Sequence, residues 1–144
     1  MSNELYRTLS LDVGDKYIGL AISDPTGTIA NGLNTLIRKD IEWDIKYITN
    51  IINEQNVKEI VIGLPINMDG TMGERVNKTY EFADALKQYT NCKIDFLDER
   101  LTTAAAEKLL ISADVSRQKR KKVIDKLAAT IILQDYLNTH KRGV

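Results

Sequence analysis

The feature that most narrows the fold is a pair of β-rich runs, residues 5–13 and 17–23, separated only by Gly14, Asp15 and Lys16. So short a link, with glycine available for positive φ, reads as the turn of an antiparallel hairpin. "DPTG" at 24–27 turns the chain again, toward a third strand expected over 28–37. Ile41, Ile45, Ile48 and Ile52 then recur at helical spacing, which makes one face of an amphipathic helix and leaves Trp43 off the stripe. "EIVIGLP", 59–65, is a nearly unbroken apolar run, as expected of a strand buried on both faces of a sheet. A second helix is expected over 73–89, with Val76, Tyr80, Ala83 and Leu86 on one side. "KIDFLDE", 93–99, alternates as a fifth strand, and helices over 103–112 and 118–139 close the chain. Three strands in meander, then two more each reached through a helix, give an α/β fold: a mixed five-stranded sheet flanked by helices. The 144 residues show no repeat and no linker-like shift in composition, so residues 1–144 are read as one domain.

Composition removes several classes of function. A hydrophobic content of 43% with 28% charged residues is that of a globular chain. No stretch reaches the roughly 18 apolar residues of a membrane span. "MSNELYRT" lacks a basic region followed by an apolar core, so a cytoplasmic protein with no membrane partner is expected. The single cysteine, Cys92, has no cysteine or histidine cluster around it, which excludes an internal disulfide and a structural zinc site. It reads as a small half-buried residue entering a strand. The formal net charge is zero, so affinity for a polyanion has to come from local clustering of charge.

Against this frame the acids stand out. Asp12 interrupts the first strand, Asp98 and Glu99 end the fifth, and Asp125 lies inside the last helix with Ala128 and Ala129 beside it on the same face. Two alanines next to an aspartate let a helix approach a sheet closely, and then three carboxylates from distant parts of the chain converge. Such a cluster is unstable without bound positive charge. Hard oxygen donors suit magnesium or manganese, which share coordination with a substrate phosphate. Local readings stay open for each acid. Asp12 can accept backbone N–H groups at the strand-to-turn junction, and Asp125 can be a solvated neighbour of Lys121 and Lys122. On a regular strand Asp98 and Glu99 point to opposite faces, so one joins the cluster and the other pairs with Arg100.

Arg117, Lys119, Arg120, Lys121 and Lys122 crowd the start of the last helix, where positive charge opposes the helix dipole and gains nothing locally. The turn is either simply solvated or draws phosphates toward Asp125. "GLPINMDGTMGERVNK", 63–78, follows a buried strand, and loops at the carboxyl ends of such strands are frequent ligand positions. It lacks the Gly-Lys-Ser or Gly-Lys-Thr of a phosphate-binding P-loop. Asn67 in it is either a ligand contact or a local turn former. His140 sits in the C-terminal tail and is read as solvated. Thr102 and Thr103 suit capping of the following helix.

"LDVGDKYIGLAISD", "EIVIGLPINMDGT", "LDERLTTAAAEKLL" and "KVIDKLAATIILQDYL" resemble, in order and spacing, the four signature blocks of the YqgF family, described as RuvX-like pre-16S rRNA nucleases and formerly as Holliday junction resolvases. The similarity runs from about residue 6 to 139. It implies an RNase H-like fold and hydrolysis of phosphodiesters with a divalent metal, Mg2+ or Mn2+, two ions in all. The family's acidic positions fall on Asp12, the Asp98–Glu99 pair and Asp125. Glu99 is favoured over Asp98 because the related junction resolvases carry a glutamate there. Glu74 and Arg75 depart from the small residues or proline expected after "DGT". On this resemblance Asp12 would anchor both ions, with Glu99 and Asp125 each completing one. Arg100 and the basic turn would hold the phosphate backbone. The expected partner is structured RNA, with branched DNA as the alternative, and the expected state a monomer or homodimer. A four-way junction would call for a symmetric dimer. "DVGDKYIGLAIS" also resembles the first phosphate motif of sugar and acetate kinases, but the chain is too short for two such domains and has no second glycine-rich loop.

Overall fold

The structure is a computed structural model that describes residues 5–100, 108, 110–120 and 127–142, together with the backbone of 121–126. Its elements are β1 (Arg7–Val13), β2 (Tyr17–Ser23), β3 (Ala30–Gly32), β4 (Leu36–Ile37), α1 (Ile41–Glu54), β5 (Val57–Leu64), α2 (Glu74–Lys87), β6 (Lys93–Asp98) and α3 (Arg117–Thr139). The sheet order is β3-β2-β1-β5-β6, with β4 also on β2. β1 and β2 pair antiparallel through the short turn, and β1, β5 and β6 run parallel, so the sheet is mixed. Most of the expected helix at 103–112 lies outside the described residues.

One expectation is corrected. The strand read over 28–37 is two short pieces. Ala30–Gly32 pairs with Ser23–Ala21, Leu36–Ile37 pairs with Ile18–Tyr17, and the register slips by one residue between them. Gly32, Leu33 and Asn34 lie at the break on the outer side of β2, where Gly and Asn have low strand propensity and an irregular edge is tolerated.

Alternation along the strands sorts side chains into two cores. Leu9, Leu11 and Val13 of β1, with Ile60 and Ile62 of β5, face α1 and α2, where Ile45, Ile48, Ile52, Phe82 and Leu86 are buried against them. Val61 points the other way, into a second core with Ala21 of β2 and Ala129, Ile132, Leu133 and Tyr136 of α3. Each fully buried Leu or Ile contributes about 1.5–3 kcal/mol. The unbroken run of β5 is thus explained, since both of its faces are covered. Trp43 lies half-buried at the rim of the first core. Thr79 and Phe82 complete the buried side of α2, whereas Tyr80 stands at its edge with its ring against Phe96, centroids 5.0 Å apart.

On the α3 side β1 carries no large apolar residue. Thr8 and Ser10 are buried there, and the Ser10 hydroxyl donates to the carbonyl of Ala129 at 2.6 Å. A methyl group placed on Gly19 would sit 3.5 Å from Ala129 Cβ and 3.5 Å from Asp12 Cβ. Small residues on both elements therefore seat α3 directly on the β1–β2 hairpin.

Candidate active site

Because β1, β5 and β6 are parallel, their carboxyl ends meet at one edge of the sheet. Asp12 lies one residue from the end of β1 and follows Ser10 in the alternation that faces α3. Asp98 is the last residue of β6, paired with Leu64 at the end of β5. Glu99 does not continue the strand as the sequence reading had it. It begins a helical turn, and this change of backbone direction separates the two consecutive acids.

Their fates differ. Asp98 accepts the backbone N–H of Arg100 at 2.9 Å, and its Oδ2 accepts from Arg100 Nη2 at 2.7 Å and Nε at 3.0 Å. Those hydrogen bonds hold its carboxyl below the usual range. Glu99 turns inward beside Gly63 of β5, where an added Cβ would lie 2.8 Å from Glu99 Cγ and 2.6 Å from Ile132 Cδ1 of α3. Burial first, then the charge of Asp12 and a hydrogen bond shared with it, push the Glu99 carboxyl up to about 8, and Arg75 acts in the opposite sense. Glu99 and Asp12 thus face one another across the end of β5, each charge disfavouring the other.

Among the described residues these carboxylates form a pair and no cluster of three metal-ligating side chains occurs. The side chains of Lys121, Lys122 and Asp125 lie outside the described residues. On α3 the backbone places residue 125 one turn before Ala129, the residue in contact with the β1–β2 hairpin beside Asp12.

The cleft over Glu99 is bounded by Asn67 and Met68 of the loop after β5, by Arg75 of α2 and by Arg100. Asn67 is engaged locally. Its Nδ2 donates to Thr71 Oγ1 at 2.9 Å, and its carbonyl takes the N–H of Gly70, which adopts φ 89°. Arg100 Nη1 reaches the same carbonyl at 3.5 Å, tying the loop to the end of β6. In the basic turn Arg117 and Lys119 are exposed, whereas Arg120 donates to the carbonyl of Val115 at 2.8 Å and so helps to hold the helix start. His140 stacks on Tyr136, centroids 4.0 Å apart, in the stretch of α3 that meets Asp95 near the start of β6, away from the acid pair. Cys92 donates its S–H to the carbonyl of Val57.

Three participants were not singled out from sequence. Arg75 carries no sequence signal beyond its departure from the family pattern after "DGT". Gly19 and Gly63 carry no chemical signal, yet Gly19 pairs with Asp12 across the hairpin, which a register drawn from the Gly-Asp-Lys turn identifies.

The fold that carries these residues matches solved structures over nearly the whole chain. RuvC of T. thermophilus in complex with a Holliday junction aligns with a TM-score of 0.59 at 10% identity, covering 93% of this chain and 94% of that one. The yeast mitochondrial Holliday junction resolvase Ydc2 aligns with a TM-score of 0.56 at 13% identity, covering 93% and 78%. The fold is RNase H-like and the class is that of a nuclease, a hydrolase of phosphodiester bonds. The family model "RuvX: Holliday junction resolvase" matches residues 6–139, and the chain belongs to the RuvX family. Relatives named "Putative pre-16S rRNA nuclease" include one from Halalkalibacterium halodurans, 54% identical over 92% of this chain and 96% of its own length. Another, from Caldanaerobacter subterraneus subsp. tengcongensis, is 52% identical over 95% and 99%. A third, from Clostridium botulinum, is 50% identical over 92% and 97%.

Proposed function

We propose that the chain is a divalent-metal-dependent endonuclease that processes the 5′ end of pre-16S rRNA in the cytoplasm. The observation that carries this reading is the placement of Glu99, turned inward against Gly63 at the joined strand ends, where burial and the charge of Asp12 raise its carboxyl pKa. Like charges in that position suit a divalent cation, and two carboxylates are the hard oxygen donors that Mg2+ or Mn2+ takes. Asp12, Glu99 and Asp125 would hold it. When bound, it supplies Lewis-acid stabilisation of charge on the phosphoryl oxygens and lowers the pKa of water. In hydrolysis, water adds to phosphorus and the P–O3′ bond breaks, giving a 5′-phosphate and a 3′-hydroxyl.

The chain's own contribution is placement. Arg75 and Arg100 bring positive charge to the cleft that Glu99 lines. Asp98 fixes the guanidinium of Arg100, and Arg100 in turn holds the loop at Asn67. Arg117 and Lys119 present charge at the exposed start of α3, where Lys121 and Lys122 follow in sequence. Half or more of protein contacts to nucleic acid go to the backbone, and these residues are suited to it.

The similarity to the resolvases and the family's own description favour a second substrate, a four-way DNA junction cut by a symmetric dimer with two such sites. Incubating the pure protein with labelled pre-16S rRNA fragments and with a four-way junction, in manganese, magnesium or chelator, separates the two. RNA cleavage that chelator abolishes is the expected result. Junction cleavage alone transfers the reading to DNA, and equal activity in chelator refutes the metal reading.

A further inference from the structure

A second cleft, of about 590 Å³, opens on the α1 and α2 side of the sheet beyond the turn that follows Asp12. Its walls are the β1–β2 turn, the junction of β4 with α1, and the side of α2 that carries Lys78 and Phe82. Arg38 is fixed there. Its Nε donates to Asp44 Oδ2 at 2.9 Å, its Nη1 donates to the carbonyl of Gly14 at 2.8 Å, and its guanidinium lies 5.3 Å from the Phe82 ring centroid. Asp44 is fully buried, and its second oxygen takes the backbone N–H of Lys39 at 3.0 Å. A buried carboxylate used in this way holds an arginine in one pose in an open cleft, so the charge is positioned before any ligand arrives.

The rest of the lining is mixed in charge, with two lysines exposed at its rim. Lys16 and Lys39 are exposed at the rim, the Lys39 ammonium 4.3 Å from the centroid of the Trp43 ring. Of the acids, Asp15 is paired with Lys78 at 3.4 Å and Asp40 accepts the N–H of Trp43 at 2.8 Å as the cap of α1, which leaves Glu81 at the wall of α2. Tyr17 and Ile37, partners across β2 and β4, are 54% and 68% exposed and give an apolar shoulder against which a sugar or base can lie.

Position links this cleft to the acid pair. Arg75 lines the cleft over Glu99, and Lys78, one turn further along α2, lines this one. Lys78 itself is ion-paired with Asp15 at 3.4 Å and Glu74 at 3.7 Å, so the cations left to meet a phosphate in the second cleft are Arg38, Lys16 and Lys39. α3 packs through Ala129–Leu137 on the opposite face of the sheet.

We infer that this cleft is a second phosphate-binding subsite for the nucleic-acid substrate, with Arg38 as its fixed guanidinium and Lys16 and Lys39 as its rim. The inference rests on the nuclease reading above, and its test is built on binding in chelator so that the outcome does not depend on cleavage. Two variants are compared with the parent: Lys16→Ala with Lys39→Ala, and Arg38→Gln combined with Asp44→Asn, which removes the guanidinium without stranding a buried charge. Circular dichroism establishes that each is folded. The probes are a short single-stranded RNA that fills only the cleft over Glu99 and a longer duplex-containing RNA that reaches both clefts.

Each variant is expected to weaken binding of the long RNA about tenfold more than that of the short one, and the lysine variant to flatten the salt slope for the long RNA by about 0.9 per lost duplex phosphate contact. Unchanged affinity and slope for the long RNA in both folded variants would overturn the inference, as would an equal loss on both probes. Protection of the Arg38–Lys39 amides by a mononucleotide but not by the long RNA would also overturn it, in favour of a small-ligand site. Intact, salt-sensitive binding by a parent that cleaves neither substrate with manganese counts against the catalytic reading alone.

Discussion

Glu99→Gln in the absence of metal is expected to make the chain more stable, with a defined pH dependence. The Glu99 carboxyl sits at about 8 in the folded protein because of burial first and the neighbouring Asp12 second, against an ordinary 4.5. Folding therefore takes up a proton between those values. Stability from this group is fully present below about pH 4.5 and is lost as pH rises through about 8. At about 1.4 kcal/mol for each tenfold change, the gap corresponds to a ceiling of about 5 kcal/mol, of which about 3 kcal/mol is in force at pH 7. Glutamine has no proton to lose and its amide still donates to Asp12. Urea unfolding in chelator is expected to show the variant and parent close together near pH 5 and separated by about 3 kcal/mol near neutrality, with no change in m. Manganese is expected to narrow the gap, since a cation held by Asp12 and Glu99 stabilises the parent more. A difference that does not grow with pH would refute the argument, because other carboxylates with lowered pKa values, such as Asp95 and Asp98, shift both proteins alike.

Asp125→Asn is expected to abolish cleavage while leaving the fold intact, and to reduce the thermal shift produced by manganese; parental values of both would remove Asp125 from the site. Gly63→Ala places a methyl 2.6 Å from Ile132 Cδ1 and 2.8 Å from Glu99 Cγ, so overpacking should cost about 1–3 kcal/mol in unfolding experiments and cleavage should fall as Glu99 is displaced. Arg117→Ala with Lys119→Ala should flatten the salt slope of RNA binding by about 0.7 per lost single-strand contact or 0.9 per duplex contact, an unchanged slope returning these residues to a solvated turn. Asp98→Asn removes the charged partner of Arg100; KM should rise more than kcat falls, and an effect on kcat alone would argue for a direct part in the chemistry.

Much of the scaffold was legible because its signals are local. The isoleucine stripe gave α1, with Ile45, Ile48 and Ile52 buried as the spacing requires. The unbroken run at 59–65 gave a strand covered on both faces, with Ile60 and Ile62 in one core and Val61 in the other. The third strand was not legible as two pieces, since its break is a slip of register against β2, a relation between segments that no single window contains. The two acids at 98–99 show the same limit. Strand alternation separates them in principle, but the end of β6 at Asp98 and the turn of helix at Glu99 decide which of them faces Asp12. Arg38 and Asp44 stand six residues apart with no motif around them, and only the tertiary fold turns them into a fixed cation beside an open cleft.

The glycines explain how an acid pair of this kind can be assembled at all. Asp12 needs a neighbour from β6 and cover from α3, and side chains on the intervening strands would hold both away. Across the hairpin the neighbour of Asp12 is Gly19, whose missing side chain admits Ala129 of α3. On β5, between Asp12 and Glu99, it is Gly63, whose missing side chain admits Glu99 and Ile132 together. The hydroxyl of Ser10 then fixes the height of α3 through the Ala129 carbonyl. One helix therefore closes the second hydrophobic core and, one turn earlier, sets the approach of residue 125 to the β1–β2 hairpin. Core packing and site geometry are coupled through that contact. A substitution at Ile132 or Ala129 that shifts α3 by a fraction of an ångström disturbs the acid site before it threatens the fold, because spacing between charged groups tolerates less displacement than an apolar interface that can repack.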